Sequence, residues 1–252
     1  MLTVARKISN CMNRNHVNDN SKPLIFLGSN YAMLIIKEVC DEAGITVQGI
    51  IDSDYFGNTD TICGMPVIDS EECFNDPAKL SFYQQHFNFF CATNWSPEHN
   101  AVQQRNRDKR HQLIDLIDSL QLPCISLIDP RANVSRYATV GKGVFVDAMC
   151  NVEAGAQLHD YVNIMWACGI GHDTVVERNC TLQRQCWTGG NCYFEHDTFL
   201  GIGVRALKTG AIFGARTWIQ ELVYIKRGTV ADEIVGLEGK NQRRVVVQQS
   251  ID

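Results

Sequence analysis

One histidine in this chain sits where an imidazole could do acid–base work. It lies in the segment Gly169-Ile170-Gly171-His172-Asp173. Eighteen residues before His172 is Ala154, and eighteen after it is Gly190. If eighteen residues make one structural turn, the ring has open space on both sides. The adjacent Asp173 could hold one ring nitrogen and fix the tautomer, which leaves the other nitrogen free to accept a proton. The same residues would also suit a polar wall facing water. His159, Glu177 and Glu195 are likewise eighteen apart. They could ligate a metal or form a solvated edge, and no metal is assigned to them. His196 stands alone and is given no role.

The element that must position His172 is visible as a period of six. The column Val134, Val140, Val146, Val152, Leu158, Ile164, Ile170, Val176, Leu182, Thr188, Phe194, Leu200, Ala206, Ile212, Trp218, Tyr224, Val230 is apolar except at Thr188. Neither a 3.6-residue helix nor a two-residue strand repeat gives this spacing. A three-faced prism does, with one hexapeptide per face and eighteen residues per coil: a parallel β-helix. A second column runs Ala138, Val144, Cys150, Ala156, Val162, Cys168, Thr174, Cys180, Cys186, Cys192, Thr198, Val204. It holds five of the eleven cysteines and suits tight corners that need small buried side chains. No CxxC occurs, so these cysteines read as reduced packing residues in a reducing compartment.

The N-terminal half has a different rhythm. Pro23–Leu27 reads as a buried strand running into Gly28-Ser29-Asn30-Tyr31. Helical spacing follows over 31–43, with Gly44 as a stop. Val47–Ile51 is a second strand ending at Asp52, and Gly64–Ile68 a short third. Phe87–Thr93 and Cys124–Ile128 are further strands, with a helix over 97–121 between them. Alternating strands and helices predict a small parallel sheet. Only one glycine stands where a dinucleotide fingerprint has three, so redox chemistry is disfavoured. A nucleotide or nucleotide-sugar held near Gly28 and Asp52, at a helix N-terminus, is the better fit.

The predicted domains are an extension over 1–22, an α/β unit over 23–129 and a β-helix over 130–252. The extension is polar and Asn-rich, lacks the apolar core of a secretory signal and is expected to be weakly packed. Net charge is −5 with no Lys/Arg cluster, which disfavours nucleic acid. No apolar run is long enough to span a membrane. The expected location is the cytoplasm.

With Leu24–Asn30, Gly64-Met65-Pro66-Val67, Gly171-His172-Asp173 and Phe199-Leu200-Gly201-Ile202 in this order, residues 23–240 resemble the hexapeptide-repeat sugar acyltransferases. That family includes sialic acid O-acetyltransferases and bacillosamine-type amino-sugar N-acetyltransferases. The resemblance implies a Rossmann-like α/β domain followed by a left-handed β-helix, assembled as a homotrimer with active sites between neighbouring prisms. It implies acetyl-CoA as donor and a nucleotide-sugar as acceptor, in polysaccharide biosynthesis. His172 matches the general base and Asp173 the acid that orients it. Gly190 matches a glycine whose N–H lies near the thioester oxygen. Gly201, Ile202 and Gln220 fall along the expected coenzyme path. Gly28, Ser29, Asn30, Tyr31 and Asp52 fall in the nucleotide-sugar pocket.

The chain departs from the pattern at four places. Tyr31 and Thr181 stand where many members have histidine. Gln220-Glu221-Leu222 replaces a Gly-Ala-Gly, and Trp187 is large for its position. A trimeric scaffold or sugar-nucleotide sensor without coenzyme chemistry is the alternative these departures suggest. A prism metal hydratase resembling γ-class carbonic anhydrases is disfavoured by the spacing of His159, His172 and His196.

Overall fold

The computed structural model describes residues 17–30, 33–94, 96–97, 101–236 and 245–246. Tyr31 lies outside them. The chain order of the α/β unit is β1 (Leu24–Leu27), α1 (Met33–Glu42), β2 (Val47–Ile51), β3 (Thr61–Ile62), β4 (Met65–Asp69), α2 (Pro77–His86), β5 (Asn88–Cys91) and α3 (Ala101–Ser119). The sheet order is β3-β4-β2-β1-β5. All neighbours are parallel except β3, which pairs antiparallel with β4. Strand β1, flanked by β2 and β5, is wholly buried, as its unbroken run of apolar residues requires.

The first four expected strands and both expected helices are present; of the fifth, Cys124–Ile128, only Leu127–Ile128 is a strand, and it belongs to the second half of the chain, with Cys124 making a single bridge to Phe89. Gly44 ends α1 with φ +69°, a backbone state that glycine adopts without strain. Pro97 lies before α3 rather than in its first turn. The sequence reading did not find β3 or α2, or the 3₁₀ turn Glu71–Asn75. Pro77 at the start of α2 and the Asp76 side chain capping the Ala78 N–H were the available signals.

The second half is a three-walled parallel β-helix. Wall I carries Asn133–Val134, Asn151–Val152, Gly169–Ile170, Trp187–Thr188 and Arg205–Ala206. Wall II carries Thr139–Val140, Gln157–Leu158, Val175–Val176, Tyr193–Phe194 and Ile212–Phe213. Wall III runs Leu127–Ile128, Phe145–Val146, Asn163–Ile164, Thr181–Leu182, Phe199–Leu200, Trp218–Ile219 and Glu233–Val235, with Val245–Val246 antiparallel at its end. Wall III begins at Leu127, so the prism starts slightly before the expected boundary at Asp129. Residues 17–22 are also tied down. Val17 bridges Ser126, and the Asn18 amide bonds the N–H and carbonyl of Ile128.

Both apolar columns fill the prism interior through Ala206. The thiols of Cys150, Cys168 and Cys186 donate to the carbonyls of Met165, Gln183 and Gly201 at 3.1, 3.0 and 3.0 Å. The described cysteines are free thiols. They act as small core side chains whose weak donors find backbone acceptors.

Beyond Ala206 the first column is corrected. The corner Leu207–Ala211 has five residues instead of four, so Tyr193 pairs with Ile212, nineteen residues on. The inward positions move to Phe213, Ile219 and Ile225, while Ile212, Tyr224 and Val230 face solvent. One inserted residue reverses the facing of every later side chain. Two identical truncations test this register. Ile219→Val should lower stability by about 1 kcal/mol, as a methylene is lost from the core. Ile212→Val should stay within about 0.5 kcal/mol. Equal losses in chemical denaturation would contradict the register.

The two halves are clasped where α3 meets the corner between walls II and III. Arg110 is fully buried and donates to Asn179 Oδ1 (2.7 Å), Thr93 O (2.5 Å) and Tyr161 O (2.8 Å). Asp118 accepts from Tyr161 Oη (2.5 Å) and pairs with Lys142 (2.6 Å) and Arg178 (2.8 Å). Partial burial tends to raise the Asp118 carboxyl, but these hydrogen bonds hold it below the usual carboxylate range. A depressed folded pKa contributes stability that is full above the unfolded value of about 3.9 and fades as pH falls through the folded one. Asp118→Asn should therefore lower Tm more at pH 7 than near pH 2.5, where part of this stability is already lost. An equal gap at both pH values would refute the assignment.

Candidate functional site

From Gly143 to Gly203 each corner of the prism turns through one residue in the left-handed region. These residues recur six apart: Gly143, Met149, Gly155, Tyr161, Ala167, Asp173, Asn179, Gln185, Asn191, Asp197 and Gly203. Asp and Asn tolerate this conformation better than most side chains. Asp173 (φ 58°) is therefore first a corner residue of the I–II edge. Its position also places Oδ2 3.1 Å from His172 Nδ1. Gly155 makes room for this carboxylate, because a Cβ there would lie 2.4 Å from Asp173 Oδ1. The imidazole is thus held at Nδ1, with Nε2 directed toward the next coil.

The neighbours of His172 are those its spacing predicted. A Cβ on Gly190 would lie 2.4 Å from His172 Nε2, so glycine is what lets the ring sit over that backbone. At the same corner on the coil before, the Asp173 N–H donates to Ala154 O at 3.0 Å. The His172 side chain remains 56% exposed.

One backbone donor at this corner differs from its counterparts. The Glu153 carboxylate accepts from the His172 N–H at 2.7 Å. Glu177 and Glu195 do the same for the N–H groups of His196 and Ala215. At Gly190 the corresponding residue is Gly171, which has no side chain, and a Cβ there would fall 2.7 Å from the Gly190 nitrogen. Among the described residues the Gly190 N–H has no acceptor. An uncovered N–H beside an oriented imidazole can meet a negative charge developing on oxygen.

Two threonines fix this glycine strip. Thr188 Oγ1 accepts from the Gly171 N–H at 2.9 Å, and Thr174 Oγ1 donates to Gly189 O at 2.8 Å. Thr188 is the single polar member of the apolar column. That break in the pattern was the signal for its role, and the sequence reading did not use it. The five-residue corner Leu207–Ala211 lies directly over the strip, with Gly210 N–H donating to Gly190 O at 3.1 Å. Bulges of this kind are common beside functional sites.

His196 does not stand alone. Its Nδ1 lies 2.8 Å from Asp197 Oδ2, repeating the His172–Asp173 arrangement at the II–III corner. Its surroundings differ. His111 of α3 approaches Asp197 at 3.5 Å, and Ala215 follows on the next coil. Among the described residues no cluster of His, Cys, Asp and Glu could hold a metal.

Gly201 and Ile202 lie at the III–I corner, with Gln220 one coil on. They are across wall I from His172, on its opposite edge. Gln220 Oε1 lies where a Cβ on Gly236 would go, so its side chain covers that backbone.

In the α/β unit, Gly28 (φ +70°) packs so closely that a Cβ would strike Thr93 Oγ1 and Leu113 Cδ1. Asn30 Nδ2 donates to Ala92 O. Ser29 Oγ donates to Asp52 Oδ2 at 2.5 Å. Asp52 is 1% exposed, and its other oxygen is paired with Lys109 and accepts from the Asp54 N–H. Asp52 is thus engaged inside the protein, where it sets the positions of Ser29 and Lys109. Beside it opens a cavity of about 670 Å³ lined by Ser53, Asp54, Glu71, Arg105, Lys109 and Leu113 among others. Burial acts to raise the Asp54 carboxyl, but hydrogen bonds and charge from Lys109 and Arg105 outweigh it and keep it ionised. Glu71 Oε1 is buried with no hydrogen-bond partner. Glu71, Arg105 and Lys109 were missed because no local motif marks them; two segments distant in sequence, the turn Glu71–Asn75 and α3, bring them together.

No family model and no curated protein matches this sequence. Solved structures do match. The acetyltransferase domain of PglB from Neisseria gonorrhoeae FA1090 aligns with TM-score 0.74 and 20% identity, over 89% of this chain and 100% of that one. A perosamine N-acetyltransferase variant from Caulobacter crescentus, in complex with CoA and GDP-perosamine, aligns with TM-score 0.74 and 20% identity, over 89% and 97%. WeeI from Acinetobacter baumannii AYE aligns with TM-score 0.69 and 15% identity, over 89% and 100%. The fold is therefore that of these structures along nearly the whole chain.

Proposed function

We propose that this protein transfers an acetyl group from acetyl-CoA to an amine, or a hydroxyl, of a nucleotide-linked sugar, with His172 as general base. The observation that carries this reading is the pairing of an imidazole held through Nδ1 by Asp173 with the uncovered N–H of Gly190. His172 Nε2 takes a proton from the acceptor as its nitrogen or oxygen attacks the thioester carbonyl. Gly190 N–H receives the oxyanion. Collapse breaks the C–S bond, and the departing thiolate of coenzyme A takes a proton.

Further support comes from the neighbours: one PglB acetyltransferase domain structure is a complex with acetyl coenzyme A, and the perosamine enzyme is bound to CoA and GDP-perosamine. In this reading the α/β unit is a Rossmann-like nucleotide-sugar domain. Gly28–Tyr31 and the Lys109–Arg105 cavity receive the nucleotide, with Asp52 as the internal brace. Gly201, Ile202 and Gln220 lie along the coenzyme. The coil is left-handed, and the protein is cytoplasmic.

The α/β unit packs on wall III and the II–III corner, through Phe145, Met165 and Tyr161. His172 is on the I–II corner. A sugar held by one copy therefore meets His172 of another, which a homotrimer with sites between prisms provides.

The test is incubation with acetyl-CoA and a panel of nucleotide-amino-sugars including GDP-perosamine, with calorimetry for coenzyme A. Transfer and coenzyme binding are expected. Neither occurring would favour a non-catalytic sugar-nucleotide-binding scaffold, the reading to which the bulky Gln220-Glu221-Leu222 corner points.

A further inference from the structure

The outer face of wall I carries an indole beside the glycine strip. Trp187 stands opposite Gly169 in register. Its ring lies flat on that residue: a Cβ on Gly169 would come within 2.3 to 2.8 Å of three atoms of the indole. Outward-facing positions alternate along a strand, so Gly169 and Gly171 share a face about 7 Å apart, at roughly 3.3 Å per residue. The indole therefore rests one short step along the wall from His172, on the side where Gly171 and Gly189 leave the backbone bare.

The other face of the ring is open. Trp187 is 44% exposed. Among the described residues no aromatic ring or cation stacks on it. Arg205, its partner on the next coil, is turned away and bonds the carbonyls of Gln185 and Gly203. A half-exposed indole is costly to leave in water unless something covers it. Its position fits a compact ligand with one apolar face and a polar rim, since the ring is flat, its N–H is unbonded in the described structure, and the base lies just beyond its edge.

We infer that Trp187 is the acceptor-side specificity residue: the C–H face of the acceptor's pyranose ring stacks on the indole and so presents its nucleophile to His172. This rests on the transferase reading above. It assigns the patch of wall I under Trp187, next to His172, to the sugar.

Trp187→Ala and Trp187→Phe distinguish the roles. With the best acceptor of the panel, Trp187→Ala should raise KM for the nucleotide-sugar about 3- to 10-fold, the range for loss of one aromatic contact. KM for acetyl-CoA should change less than about twofold, and Trp187→Phe should recover most of the loss. A rise confined to acetyl-CoA, or no change in either KM, would overturn the assignment. Calorimetry of the nucleotide-sugar with wild type and Trp187→Ala separates this from the transferase reading. If transfer is absent but the sugar binds, weaker binding by the variant upholds the contact, and equal binding removes it. Absence of any sugar binding removes both. Unchanged thermal unfolding of Trp187→Ala checks that the wall is intact.

Discussion

Replacing His172 by alanine should reduce kcat for acetyl transfer by about 10²- to 10⁴-fold, the span that a positioned general base supplies. The protein should remain folded, because the ring is more than half exposed and makes no core contact. KM for both substrates should change little, since the base acts mainly in the transition state. His196→Ala is the matched control: it removes an imidazole with the same Asp partner at a different corner. It should leave kcat within about threefold, since it touches no group placed in the reaction. Assay of the two purified variants decides the matter. Equal rates for wild type and His172→Ala would take His172 out of the mechanism, and a large loss only in His196→Ala would move the site to the II–III corner.

The contrast between these two histidines shows what was legible beforehand. Period-six spacing found the prism because an inward side chain is required once per wall, and the demand repeats regardless of which apolar residue meets it. It also found the neighbours of His172, because coil length turns sequence separation into contact. Ala154 and Gly190 were therefore visible. The same rule lost its register at Leu207–Ala211. The outward Ile212, Trp218, Tyr224 and Val230 are apolar too, so the apolar pattern continued unbroken while the facing reversed. His196 read as isolated because its Asp neighbour was weighed only at His172. The cavity around Lys109 was illegible for another reason. Glu71, Arg105 and Asp54 meet through sheet order and helix packing, and no spacing along the chain encodes that. Asp52 was located correctly at the end of β2. That a lysine from α3 would reach it could not be read from the strand alone.

Gly190→Ala should cost about a hundredfold in kcat while leaving the fold intact. The backbone at Gly190 does not have the positive φ that would make alanine itself strained. The added methyl instead falls 2.4 Å from His172 Nε2, far inside the closest approach a methyl carbon makes to a ring nitrogen. The imidazole is the movable partner, since its side chain is exposed and held only at Nδ1 by Asp173. It must swing away by about 1 Å, and a displacement of that size at a reacting centre is enough for a loss near 10². The methyl also narrows access to the Gly190 N–H, so the base and the oxyanion donor fail together. Combining Gly190→Ala with His172→Ala tests that coupling. With the ring gone, the methyl meets nothing, and the double variant should lose little beyond His172→Ala alone. Full additivity of the two losses would mean that Gly190 acts independently of the imidazole, and the shared site argued from their contact would have to be abandoned.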